Sequence, residues 1–221
     1  LQKLAGSRAI RVLSVGCSSG EEPYSIAMAI EEHWGKAMLE QVQIEAGDLD
    51  ENILRKARAG VYSAFSFRAL DERLQRKYFQ ATPRGYQINA DIRQRVHFFP
   101  FNLNAPHYPA QNGAYDAIFF RNVSIYFNLS TREAIQRKLQ RLLQSNGVLF
   151  LGSSETLGND FAILPILEEQ GHYYFAQGEA LIAQAENKLS LDQSPRPSAR
   201  PPIKREPVIA DVEQVRVPPL E

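Results

Sequence analysis

The sequence contains one cysteine, Cys17, so no internal disulfide can form and a reducing compartment is the simplest setting. It carries no charge excess, with 25 Lys and Arg against 25 Asp and Glu. That balance argues against the basic stripe with which nucleic-acid binders meet phosphates. No apolar run reaches membrane-spanning length, and Leu1 to Arg11 lacks the apolar stretch of a signal peptide. Neither Gly-x-Gly-x-x-Gly nor Gly-Lys-Ser/Thr occurs, which removes the usual signatures of dinucleotide and triphosphate binding. The histidines, His33, His97, His107 and His172, are scattered without ligand spacing, so no metal is expected. A cytoplasmic protein without membrane insertion or nucleic-acid partner is expected, and a monomer.

What is present is concentrated near the start. Arg11 to Val15 is a short apolar and β-branched run, followed by Gly16-Cys17-Ser18-Ser19-Gly20 and then Glu21-Glu22-Pro23. Gly16 and Gly20 permit a tight turn and close approach to a ligand, and Pro23 suits the first turn of a helix. Strand, glycine turn and helix in succession open a nucleotide-binding α/β domain. Two carboxylates at that helix start would repel a phosphate, whereas a cationic ligand with a ribose, such as the sulfonium of S-adenosylmethionine, fits the charge. The plainer alternative is that both glutamates only complement the helix dipole.

The first helix is expected over Glu21 to Trp34, and Val42 to Ala46 is a second strand ending at Gly47-Asp48-Leu49-Asp50. An acid at that strand end is placed to bind ribose hydroxyls, and Asp48 is the candidate, with a plain turn aspartate as the alternative. Asp50 caps the next helix, Glu51 to Ala59. Val61 to Gln80 is a partly helical connection anchored by Phe65, Phe67, Leu70, Leu74, Tyr78 and Phe79. With Tyr86 to Asn89 and Arg95 to Phe99 it forms an antiparallel insertion over about 61–100. Such an insertion either recognises a partner by strand addition or only decorates the fold. Gly113 to Phe120 is a central parallel strand ending in Arg121-Asn122-Val123-Ser124-Ile125-Tyr126-Phe127. Ser130 or Thr131 opens a helix with Ile135, Leu139, Leu142 and Leu143 inward and Arg132, Arg137, Lys138 and Arg141 solvated; Asn146-Gly147 ends it. Val148 to Leu151, Phe161 to Leu167 and Tyr173 to Phe175 are the last strands. Seven of the 13 prolines fall between Pro195 and Pro219, so residues 187–221 read as a disordered linker or tail after a domain spanning 1–186.

Five stretches occur in an order that resembles the CheR family of chemotaxis receptor methyltransferases. They are Cys17 to Ser25, Asp48-Leu49-Asp50, Lys56 to Tyr62, Arg121 to Phe127 and Gly152-Ser153-Ser154-Glu155, within a match from Ile10 to Phe175. The resemblance implies a Rossmann-like class I S-adenosylmethionine-dependent methyltransferase fold, with a mostly parallel sheet, helices on both faces and a small antiparallel β-subdomain. It implies that S-adenosylmethionine esterifies glutamates on the cytoplasmic helices of chemoreceptors, leaving S-adenosylhomocysteine. Gly16 and Cys17 would lie in the cofactor turn, with Glu22 at the methionine amino group and Asp48 at the ribose. Asn102 and Leu103 would flank the adenine, Phe120 and Arg121 would line the site, and Tyr126 would lie beside the transferred methyl. Arg121 and Tyr126 are thus the catalytic candidates.

The chain departs from the family in beginning after its N-terminal helical domain and in carrying Ser153 where many relatives have histidine. Its insertion is also a few residues shorter than the family's tether-binding form, which points to docking without a receptor tether. The chemistry is consistent with the resemblance, because a glutamate nucleophile, with a reference pKa of about 4.3, is ionised at neutral pH and requires positioning more than a base. The alternatives are a fold-internal salt bridge for Arg121 and a packed core position for Tyr126. For the whole chain they are a cofactor-binding regulatory module without turnover, or a methyltransferase for another substrate.

Overall fold

The protein is described from a computed structural model, over residues 8–152, 163–169 and 172–178. The first strand, β1 (Ile10–Val15), is apolar on both faces because it is covered on both. Ile10 and Val12 enter one core, and Leu13 and Val15 enter the other. After it come α1 (Glu21–Trp34), α2 (Lys36–Leu39), β2 (Val42–Asp48) and α3 (Glu51–Ala59). Asp50 caps α3 as expected, its carboxylate accepting from the Asn52 amide at 2.8 Å.

Among the described residues the central sheet has seven strands. β6 (Val96–Pro100), β2, β1, β7 (Tyr115–Phe120) and β8 (Leu143–Leu151) run parallel in that order, then β10 (His172–Ala176) and β9 (Ile166–Glu169) complete the edge antiparallel. From β1 the chain moves outward through β2 to β6, then returns to β7 and moves outward the other way. The reversal between β1 and β7 leaves a crevice at the carboxyl ends of those strands, where such sheets hold ligands. One core lies under α1, α2 and α3; the other lies under α6 (Leu129–Leu142) through Ile135, Leu139 and Leu142. The Rossmann-like class I methyltransferase fold, with helices on both faces, is therefore present.

The insertion is smaller than expected. Its sheet consists of β3 (Val61–Tyr62), β5 (Gly85–Ile88) and β4 (Phe79–Thr82), with α4 (Glu72–Tyr78) before β4 and α5 (Ala90–Arg93) after β5. The strand at Arg95 to Phe99 is β6, which pairs in parallel with β2 from Ile44↔Val96 to Asp48↔Pro100 and so belongs to the main sheet. Phe65 is no anchor, at 72% exposed, and stacks under the guanidinium of Arg68.

Other boundaries also move. Asn128, not Ser130 or Thr131, caps α6 by accepting from the Thr131 amide at 2.9 Å. The helix stops at Leu142, because Leu143 is extended and pairs with Tyr115; residues 144–147 bulge before Val148 pairs with Ala117. The strand expected from Phe161 starts at Ile166, as Pro165 has no N–H for a ladder, and Phe161 itself lies outside the described residues. Also outside them are Ser153-Ser154-Glu155 and the Pro-rich segment 187–221.

Charge ties the insertion to α1. Glu32 accepts from Lys77, Arg73 and the Tyr78 hydroxyl. Those donors, Lys77 first, hold its carboxyl well down from 4.5 to about 2. A depressed carboxylate stabilises the fold fully above its unfolded pKa and loses that contribution as pH falls through the folded value. The thermal midpoint of the wild-type chain is therefore expected to exceed that of Glu32→Gln above pH 4.5, with the gap closing as pH falls towards about 2. Melts across that range check it, and a gap independent of pH contradicts it.

Candidate active site

The turn after β1 is fastened to the end of β2 by one carbonyl. Gly47 O accepts from the amides of Gly16 at 2.8 Å and Cys17 at 3.1 Å. Gly16 has φ +68°, and a Cβ there would come within 2.4 Å of Val123 Cγ2, so this position requires glycine on both counts. Ser18 is also left-handed, at φ +49°, and its amide donates to Asp48 Oδ2 at 2.9 Å. Strain at a non-glycine residue persists where the surroundings over-determine it, and functional turns are where it gathers. Tyr62 of the insertion closes the turn from outside by donating to Ser19 O at 2.9 Å.

Glu22 is turned inward. Its Oε1 accepts from the Ser14 hydroxyl at 2.8 Å, and its Oε2 lies 3.3 Å from Arg121 Nη1. Glu21 faces outward, accepting from Ser19 Oγ at 2.7 Å, a first-turn position that suits the dipole role. The structure thus separates two adjacent acids that the sequence presents alike. Both members of the Glu22–Arg121 pair are partly exposed, at 23% and 45%, so the contact is worth under about 1 kcal/mol. A ligand cation can open it.

Asp48 holds the Ser18 amide on one oxygen and the Asp50 amide on the other, at 2.9 and 3.1 Å. Each carboxylate oxygen keeps a second lone pair for a hydroxyl. The backbone carbonyl of Asp48 accepts from the Phe101 amide at 2.8 Å, which brings Asn102 and Leu103 to the same edge of the crevice. Asn102 is exposed and Leu103 only 8% exposed. Arg121 and left-handed Asn122 follow β7, and Val123 crosses Gly16. Tyr126 is 80% exposed, which removes the core-tyrosine alternative.

Two candidates present only their main chains. Phe120 is fully buried in the α6-side core, and the Cys17 side chain is buried in the other. Burial, with the Asp48 carboxylate next, pushes the Cys17 thiol up to about 12. Sequence reasoning missed Ser14, although a lone polar residue in a buried apolar strand is itself a signal. Among the described residues no cluster of His, Cys, Asp and Glu could hold a metal ion, and no helix is long and apolar enough to cross a membrane.

Residues 1–171 match the family described as "CheR methyltransferase, SAM binding domain". The chain belongs to the CheR methyltransferase family. It is 45% identical over 161 residues to chemotaxis protein methyltransferase 2 of Vibrio cholerae, covering 71% of this chain and 55% of that protein. Against the chemotaxis protein methyltransferase of Escherichia coli it is 38% identical, covering 67% and 53%. A probable biofilm formation methyltransferase of Pseudomonas aeruginosa is 32% identical over 217 residues, covering 91% and 51%. The chain thus spans about half the length of these relatives. A solved carbon methyltransferase structure, DszA, is 16% identical with a TM-score of 0.45, covering 68% of this chain and 30% of that one.

The cofactor of this CheR-family domain is S-adenosylmethionine, and the donor set fits it. We propose that the Glu22 carboxylate would meet its ammonium group and that the lone pairs of Asp48 would meet its ribose hydroxyls. Glu22→Gln, which keeps the shape and the bond from Ser14, is expected to weaken S-adenosylhomocysteine binding about tenfold or more, as for loss of a charged hydrogen bond. Calorimetry checks it, and an unchanged Kd contradicts the placement. Cys17 is expected to resist thiol reagents at neutral pH in the native chain and to react after denaturation. Equal labelling rates in the two states would contradict its burial.

Proposed function

We propose that this domain serves a protein-glutamate O-methyltransferase that esterifies glutamates on the cytoplasmic helices of chemoreceptors. The observation that carries this reading is the placement of Arg121 at the crevice mouth, in contact with one carboxylate and followed by the exposed Tyr126. Bound S-adenosylmethionine supplies an electrophilic methyl carbon. The incoming glutamate is already ionised at neutral pH, so no residue of this chain has to remove a proton.

The work of the protein is positioning and dehydration. Glu22 would hold the ligand's ammonium group, which would leave Arg121 to hold the incoming carboxylate by a charge-assisted bond. A single guanidinium orients that carboxylate without quenching its nucleophilicity as a basic cluster would. Tyr126 adds a neutral hydroxyl donor and excludes water over the reacting atoms. The cytoplasm is the compartment such receptors require. The Pseudomonas relative named for biofilm formation aligns over most of this chain, which favours a substrate in biofilm formation as the second candidate.

The test is transfer of labelled methyl from S-adenosylmethionine to a receptor cytoplasmic fragment, using the protein at its full natural length. A base-labile ester is expected, and binding of S-adenosylhomocysteine without transfer would support a regulatory module instead. Arg121→Ala is expected to lower transfer about 10²-fold, the scale of misplacing a reacting group, without weakening S-adenosylhomocysteine binding. Weakened binding with unchanged transfer would assign Arg121 to the cofactor alone.

A further inference from the structure

The loop after β6 is locked from below by a residue that a helical wheel would leave in solvent. Lys138 lies on α6, half-buried, and its ammonium group donates to Leu103 O and to Ala105 O, both at 2.8 Å. The same ammonium group sits 4.6 Å from the centre of the Tyr108 ring. Tyr108 in turn donates its hydroxyl to Leu103 O at 2.8 Å, and its ring lies 4.7 Å from that of Phe101. Phe101 is the residue whose amide is fixed to Asp48 O, and its side chain fills the space that a Cβ on Gly47 would occupy. One continuous set of contacts therefore runs from α6 through the loop to the end of β2.

A lysine placed here bears a desolvation cost, and burial moves its pKa down. An ordinary solvated helix face has no use for that arrangement. Leu103 O accepts from both Lys138 and Tyr108, so the loop is held more firmly than a surface connection needs, two residues after the Phe101 amide that donates to Asp48 O. The Asn102 side chain adds a local lock by accepting from the Asn104 amide at 2.9 Å. A rigid loop beside a ribose-binding acid favours ligand binding because its ordering entropy is spent before the ligand arrives.

We infer that Lys138 is a positioning residue that presents the Asn102–Leu103 turn to the adenosine end of the ligand. This rests on the crevice being the S-adenosylmethionine site and extends it to a residue on the far side of the loop. Calorimetric titrations with S-adenosylhomocysteine and with 5′-methylthioadenosine, which lacks the amino-acid end, test it. Lys138→Met is expected to weaken both ligands about tenfold and to similar extents, Lys138→Arg to restore most of the affinity, and Tyr108→Phe to weaken both less. Glu22→Gln, acting at the other end, is expected to weaken only S-adenosylhomocysteine. A folded Lys138→Met with a lowered thermal midpoint but unchanged affinity for both ligands overturns the inference, as does a loss confined to S-adenosylhomocysteine. If Lys138→Met does not fold, Tyr108→Phe decides alone, and unchanged affinity there overturns it. Failure of the wild-type chain to bind either ligand overturns the site assignment itself.

Discussion

One carbonyl oxygen, that of Gly47, accepts the amides of both Gly16 and Cys17 and thereby joins the turn after β1 to the end of β2. The remaining features of the crevice follow from that junction. It forces the turn close enough that Ser18 adopts a left-handed backbone and hooks onto Asp48. It also starts α1 at a position where Glu22 reaches back to Ser14 inside the sheet. Gly47 itself has no Cβ, and Phe101 occupies that space, so the loop after β6 is pressed against the same corner. The start of α1, the end of β2 and the loop after β6 thus bring Glu22, Asp48 and Phe101 to one edge, through the Gly47 carbonyl, the space at its Cα and the Asp48 carbonyl.

The electrostatics of that edge decide what it can hold. An α-helix N-terminus attracts anions, and most nucleotide sites of this architecture exploit it with phosphate. Here the first turn of α1 carries Glu21 and Glu22, and Asp48 stands opposite, so a phosphoryl group would meet like charge. The guanidinium of Arg121 balances Glu22, but a partly exposed pair of this kind contributes under about 1 kcal/mol and yields readily to a better-placed cation. In the proposed reaction, opening it would offer one carboxylate to a cationic ligand and one guanidinium to an anionic substrate, so this weak contact would couple the two halves.

Much of this was legible in the sequence, for physical reasons. Arg11 to Val15 and Gly113 to Phe120 read as buried strands because both faces are covered and the runs show no regular polar alternation. Asp50 announced a cap through its position one residue before a helical period. What was not legible depended on pairing across the chain. Val96 to Pro100 has the aromatic, turn-flanked look of an insertion strand, and only its register with Ile44 to Asp48 places it in the main sheet. Phe65 and Phe67 look equivalent in sequence, yet one lies exposed and the other packs edge-on against Phe79 and Tyr86. Lys138 belongs to a run of basic residues on a solvated helix face, and its distinct role appears only once the loop at Leu103 lies over it. Phe120 ends the strand that leads into the site, but strand alternation sends its side chain into the core.

The central claim is that this acid-walled turn accepts a cationic adenosyl compound and refuses a phosphorylated one. The most direct measurement is a competition titration of the wild-type chain, with S-adenosylmethionine as ligand and NAD as competitor. The account expects saturable binding of S-adenosylmethionine that NAD does not displace even in large excess. Binding of NAD at least as tight as that of S-adenosylmethionine would contradict it.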